Sequence, residues 1–202
     1  MVLLDLVAFF CILLLAGAIY QFIGLARDAR RYPPRGRIID IGGRRLHMVE
    51  SGNGSPAVIL EAGIAASSLS WSLVQPEVAK LTRVCSYDRA GLAWSDRAIE
   101  PGTLERSIHD LHSLLAAAAV QPPYILVGHS YGGLLARAYT ARFPENVAGL
   151  VLVDPVPVRE WSAPSASQRK MLERGIRLSR RGAKPFQGQP PLWANAAPLK
   201  ED

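Results

Sequence analysis

Residues 124–139 read YILVGHSYGGLLARAY, an apolar run joined to a helix-forming segment by a serine between glycines. The run at 124–127 is typical of a buried strand, and the segment at 131–143 is typical of a helix. Between them, residues 128–132 match the pattern G-x-S-x-G, whose glycines permit a very tight turn. Such a turn presents Oγ of Ser130 at the carboxyl edge of a sheet, and the following helix directs the positive end of its dipole there. The pattern therefore predicts a nucleophile at Ser130.

Strands and helices alternate on both sides of this turn. The sequence predicts strands at 37–41, 45–50, 57–61, 84–87, 124–127 and 147–153, and helices at 69–81, 104–120 and 131–143. The first two strands flank Gly42-Gly43, which is a hairpin signal. An opening hairpin followed by repeated β-α units is typical of an α/β fold, with a mostly parallel sheet and helices on both faces.

The N-terminal segment at 6–26 contains no charged side chain. As a helix it would span roughly 31 Å, which matches a hydrocarbon core of about 30 Å. We therefore expect a single-pass membrane anchor. A cleaved signal peptide is the alternative, because Ala16-Gly17-Ala18 offers a small-residue cleavage site, although residues 1–5 lack lysine and arginine. The arginines that follow the apolar segment predict that the rest of the chain, its body, lies on the cytoplasmic side of the membrane.

The chain has 202 residues and a net charge of +6. Its basic excess lies just after the apolar segment and beyond residue 158, and not in the predicted core. Since no nucleic-acid motif accompanies the charge, we expect no nucleic-acid partner. Cys11 and Cys85 both lie in apolar runs and are interpreted as small apolar residues. We expect no cofactor and no metal, and the oligomeric state stays open.

Further motifs surround the serine turn. They are LEAG at 60–63, Trp71, SYDRAG at 86–91, WSD at 94–96 and LVLVDP at 150–155. With these motifs, residues 35–155 resemble the α/β-hydrolase fold family, particularly its esterase, epoxide-hydrolase and prolyl-aminopeptidase relatives. The resemblance implies a serine hydrolase that acts by acyl transfer on an ester- or amide-type small substrate. It also implies an oxyanion hole formed by the backbone N–H groups of Ile64 and Tyr131. Asp88 and Arg89 are interpreted as residues that fix a turn.

The family order of catalytic residues is serine, then acid, then histidine. The four histidines of this chain, His47, His109, His112 and His129, all precede Ser130. We expect His129 to lie in the core and to point away from Oγ. Asp154, at the end of a predicted strand, is either the acid or a residue of the strand-end turn. The sequence thus predicts a C-terminally truncated member whose activity stays open. The alternative is a non-catalytic, membrane-anchored binding or scaffold protein.

These observations predict four segments. They are an anchor at 1–27, a linker at 28–36 containing Pro33-Pro34, an α/β-hydrolase core at 37–158, and a last segment at 159–202. By resemblance, that last segment begins a helical cap. It contains a predicted amphipathic helix at 166–181, with a basic face that could bind anionic lipid, and a proline-rich tail.

Overall fold

A computed structural model describes residues 2–31, 33–97, 103–157, 166–167 and 170. The chain divides into two units, Met1–Arg35 and Gly36–Asp202. The predicted tail, and the predicted helix at 166–181 apart from its residues 166–167 and 170, lie outside the described residues.

The first unit contains helix α1, Val2–Arg31. Its segment Asp5–Asp28 has a mean hydropathy of 2.4 and none of its apolar window is buried. Within the described part of the chain, it is the one helix long and apolar enough to cross a membrane. By length and composition it could serve as a membrane span or as a signal sequence.

The described residues of the second unit form a six-stranded, mostly parallel sheet in the order β1-β2-β4-β3-β5-β6. The strands are β1 Arg37–Asp40, β2 Arg45–Ser51, β3 Ala57–Glu61, β4 Val84–Tyr87, β5 Tyr124–His129 and β6 Val147–Val153. β2 pairs antiparallel with β1 and β4, whereas β4, β3, β5 and β6 run parallel. The predicted α/β-hydrolase-type architecture is therefore confirmed in this part of the chain.

Between residues 36 and 157, the structure describes the helices α2 Gln75–Val78, α3 Leu104–Ala117 and α4 Tyr131–Arg142. The prediction of one continuous helix at 69–81 was wrong. The chain forms a 3₁₀ helix at Ser68–Trp71 and then the short α2. Pro76 lies in the first turn of α2. A proline is tolerated there, but its missing N–H and its ring would break a helix that continued through it.

Apolar side chains pack on both faces of the sheet. Helices α3 and α4 cover one face, where Leu114 and Leu134 are fully buried against Ile59 and Leu126. On the other face, Trp71 packs against a smaller cluster of strand side chains that includes Val84. Edge strand β6 is more open, because its residues Leu150, Val151, Leu152 and Val153 keep 37–48% of their surface exposed.

Candidate active site

Four parallel strands end at one edge of the sheet and bring the predicted site together there. Glu61 ends β3, Tyr87 ends β4, His129 ends β5 and Val153 ends β6. Because carboxyl ends of parallel strands share an edge, the loops that follow them lie side by side. These loops contain Ser130, Ile64, and the consecutive residues Asp88 and Arg89.

Ser130 lies at a sharp bend between β5 and α4. Its backbone angles are φ 54° and ψ −119°, a region that residues other than glycine rarely adopt. Neighbouring backbone groups hold this conformation. The N–H of Ser130 donates to the carbonyl oxygen of Val153 at 3.1 Å, and its own carbonyl oxygen accepts from Gly133 and Val156 at 2.9 and 3.2 Å. The serine side chain is half-buried.

Glycines allow the bend to pack against the end of β3. A Cβ atom on Gly128 would lie 2.4 Å from the carbonyl oxygen of Gly132, and one on Gly132 would lie 2.3 Å from that of Glu61. A Cβ atom on Gly63 would lie 3.6 Å from Cβ of Ser130. The loop after β3 therefore runs directly beside the serine.

That loop contains Ile64, and α4 begins with Tyr131. The amide of Ala66 donates to the carbonyl oxygen of Gly63 at 3.2 Å, and Ala65 has a positive φ of 55°, so Ile64 lies in a tight turn. Tyr131 is 2% exposed. Amides of a first helical turn point out of the helix's N-terminal end, toward the bend. Burial raises the pKa of the Tyr131 hydroxyl to about 12, so the phenol stays protonated at neutral pH.

The histidines occupy four different environments. His47 is fully buried in β2, with its Nδ1 2.8 Å from Oδ2 of Asp88. His109 is exposed and lies 3.3 Å from Glu105, and His112 lies 3.2 Å from the Tyr139 hydroxyl. The prediction that His129 belongs to the core was wrong. It is exposed, because it ends β5 at the sheet edge, and its Nδ1 lies 3.2 Å from where a Gly63 Cβ would be.

Asp88 joins strand β2, the 3₁₀ helix and its own loop at this edge. Its carboxylate pairs with His47, accepts the amide of Ser68 at 2.7 Å and accepts the amide of Trp94 at 3.4 Å. Burial alone would raise the pKa of Asp88, but the bonds from His47 and Ser68 outweigh it and hold the pKa below its ordinary value. The bond from Trp94 lies within the loop after β4, as the turn-fixing interpretation expects, whereas those from His47 and Ser68 tie this loop to other elements.

Asp154 follows β6 and is exposed, with a positive φ of 46°. Both interpretations of this residue stay predictions. In the described part of the chain, no three His, Cys, Asp or Glu side chains cluster in a way that could hold a metal ion.

Sequence reasoning missed a buried ion pair at the same edge. Glu61 and Arg89 lie 2.5 Å apart, and their side chains are 2% and 10% exposed. Burial raises the pKa of Glu61, and the Arg89 guanidinium and the Tyr87 hydroxyl oppose this rise. A signal was present, since an acidic residue ending one strand and an arginine just after the adjacent parallel strand would meet at the edge.

Comparison with known proteins agrees with this fold. Residues 56–179, more than half of the chain, match the family model described as the alpha/beta hydrolase fold. The chain belongs to the α/β-hydrolase fold family.

Relatives in this family include named hydrolases. The chain is 37% identical over 103 residues to an AB hydrolase superfamily protein of Gibberella zeae, covering 49% of this chain and 32% of that protein. It is 34% identical over 125 residues to 2-hydroxymuconate semialdehyde hydrolase of a Pseudomonas species, covering 60% and 44%. A marine microorganism esterase structure matches with a TM-score of 0.60 and 22% identity, over 69% of this chain and 52% of that one.

These α/β-hydrolase relatives are longer than the region they share with this chain. The chain spans less than half the length of both curated relatives and about half of the esterase. The esterase, at 22% identity, shows the fold. The chain thus shares its fold family with named hydrolases.

Proposed function

We propose that this chain carries the nucleophile and the oxyanion hole of a serine hydrolase that acts by acyl transfer on a small ester or amide. Oγ of Ser130 attacks the carbonyl carbon, and the carbonyl oxygen becomes an oxyanion. The N–H groups of Ile64 and Tyr131 donate to that oxygen. Collapse expels the alcohol or amine, which takes the proton lost by Ser130, and water then cleaves the acyl-serine ester to release the acid.

The observation that carries this proposal is the backbone of Ser130. A non-glycine residue at φ 54° and ψ −119° costs of order 1–3 kcal/mol, and such strain concentrates at active sites. It supports a nucleophile because it lifts the side chain out of the strand and places it beside the Gly63–Ile64 peptide at the N-terminal end of α4.

Serine needs a base to remove its proton. His47 contacts the carboxylate of Asp88 and both side chains are fully buried, which makes His47 a poor base for Ser130. The family resemblance places the base after the nucleophile, whereas the histidines of this chain precede it. Covalent reaction at Ser130 is therefore a more direct test of the nucleophile than complete turnover, which also requires the base.

Ser130 is expected to form a covalent adduct with a fluorophosphonate probe. Its hydroxyl oxygen attacks phosphorus and the P–F bond breaks, while a buffer base at mildly alkaline pH takes the serine proton in place of a histidine. The full chain in detergent micelles would be labelled, digested, and the adduct located by mass spectrometry. Ser130→Ala should lose the label completely, whereas Ser70→Ala, which changes an exposed serine of the 3₁₀ helix Ser68–Trp71, should keep it. A folded wild-type chain without a Ser130 adduct would favour the non-catalytic binding protein.

We also propose that residues 6–26 anchor the chain in a membrane, with the body on the cytoplasmic side. Support comes from the apolar helix α1 and from Arg27, Arg30 and Arg31, which follow its apolar segment. In a Cys11→Ser background, a cysteine introduced by Ser70→Cys should react with an impermeant maleimide only after the cells are permeabilised. Reaction in intact cells would place the body outside, and a purified chain lacking its first residues by mass would indicate a cleaved signal sequence.

A further inference from the structure

Arg89 is held at the centre of the sheet edge by a buried acid. Its Nη1 lies 2.5 Å from Oε1 of Glu61, and the hydroxyl of Tyr87 donates to the other carboxylate oxygen. Burial opposes the charge on the guanidinium, but Glu61 outweighs this effect and the pKa of Arg89 lies above its ordinary value. Arg89 is therefore a fixed, charged donor with several N–H groups to direct at nearby acceptors.

Those N–H groups reach the backbone of the loop beside Ser130. Nη1 donates to the carbonyl oxygen of Ala62 at 2.6 Å, and Nη2 donates to that of Gly63 at 2.5 Å. The carbonyl of Gly63 and the N–H of Ile64 belong to one planar trans peptide unit, so they point in opposite directions. Fixing the carbonyl oxygen from one side therefore fixes the direction of the Ile64 N–H on the other side.

The same guanidinium also contacts the second residue of the proposed oxyanion hole. Its Cζ lies 5.4 Å from the ring centroid of Tyr131, within the range of a cation–π contact. One side chain thus touches the loop that contains Ile64 and the first residue of α4. These two segments have to keep their spacing if both amides are to bind one oxygen atom.

We propose that Arg89 is a positioning residue for the oxyanion hole, which it serves by orienting the Gly63–Ile64 peptide against Tyr131. This inference rests on the proposed function, because it assumes that the Ile64 amide binds an oxyanion at Ser130. It goes beyond the turn-fixing role expected from the sequence, which would require no contact with the loop after β3. A purely structural arginine would affect folding but not the placement of the Ile64 amide.

Four variants separate these roles. Arg89→Met removes the donors, and Arg89→Lys keeps a positive charge for Glu61 but loses the planar fork that reaches both carbonyl oxygens. The double variant Glu61→Gln/Arg89→Met also removes the carboxylate that would otherwise be buried without its partner. Arg142→Met is the matched control, because it removes another arginine that lies over an aromatic ring, but at the far end of α4. Cζ of Arg142 lies 5.2 Å from the ring centroid of Phe143.

Two properties of the full chain in micelles would be measured. The first is the second-order rate constant for fluorophosphonate labelling of Ser130. The second is the ³¹P chemical shift of the Ser130 adduct, compared with the same adduct in denaturant, which reports whether the phosphoryl oxygen lies in the hole. Urea unfolding would show that each variant is folded.

Labelling should slow by about 10-fold or more in all three Arg89 variants, toward the roughly 10²–10³-fold effect of losing an oxyanion donor. Their native ³¹P shift should move toward the denatured value, and Arg142→Met should match the wild type. A folded Arg89→Lys or double variant with wild-type rate and wild-type ³¹P shift would overturn the inference while leaving the nucleophile intact. A folded wild-type chain without any Ser130 adduct would instead overturn the proposed function.

Discussion

Gly132→Ala is expected to destabilise the body by at least about 3 kcal/mol, the upper part of the range for overpacking. The added Cβ would lie 2.3 Å from the carbonyl oxygen of Glu61 and 2.7 Å from that of Ala62. Both are backbone atoms of β3 and the loop that follows it, so neither can rotate away. Relief requires α4 to move off the sheet, which would also separate Tyr131 from the loop containing Ile64.

The measurement is the free energy of unfolding of the full chain in micelles, from urea titrations followed by tryptophan fluorescence. Gly149→Ala is the matched control, because its Cβ would lie 3.8 Å from the Ile125 side chain, an ordinary contact. That variant should remain within about 0.5 kcal/mol of the wild type. Equal unfolding midpoints for the two variants would contradict the close packing of the bend on β3.

Asp88→Asn is the second large change, and we expect it to cost about 3–5 kcal/mol, as for breaking a buried pair by changing one partner. The carboxylate accepts bonds from His47, Ser68 and Trp94, and an amide cannot replace both of its oxygens. Asp96→Asn is the control in the same loop. Asp96 pairs with Arg45 at the surface, so Asp96→Asn should lower the free energy of unfolding by clearly less than Asp88→Asn does.

The stabilisation that the Asp88 carboxylate contributes should also depend on pH, and it should decrease as the pH falls. The folded-state pKa of Asp88 lies below its ordinary value of 3.8, so its stabilisation is present above about pH 4. It is lost as the pH falls from there through the folded-state pKa. The difference in unfolding free energy between wild type and Asp88→Asn should therefore shrink between pH 5 and pH 3. A constant difference over that range would show that the carboxylate is not the stabilising form.

Much of the fold was predictable because its local signals agree with one another. The apolar run before Ser130, the flanking glycines and the helix-forming segment after it all indicate one strand-turn-helix unit, and β5 and α4 have these positions. The segment at 69–81 was mispredicted because the apolar spacing was weighted above Pro76. A single proline overrides such spacing, since it removes a helical donor and clashes with the preceding turn.

The site was less accessible to sequence reasoning, because its contacts are made largely to backbone atoms. Nothing in the identities of Ala62 or Gly63 indicates that their carbonyl oxygens accept bonds from Arg89. That contact requires β3 and β4 to be neighbours in the sheet. In the chain, the segment that contains Leu69, Trp71 and the short α2 lies between these two strands. The assignment of Ile64, Tyr131 and Ser130 to catalysis stays a prediction.

Backbone hydrogen bonds join edge strand β6 to the bend at Ser130. Ser130 donates to Val153 at the end of β6 and accepts from Val156 just beyond it, so the bend is tied to a strand whose other margin faces away from β5. Margins of sheets fray more readily than their centres. Loosening of β6 would therefore also loosen the backbone of Ser130, and any contact that restrained this edge strand would restrain the bend with it.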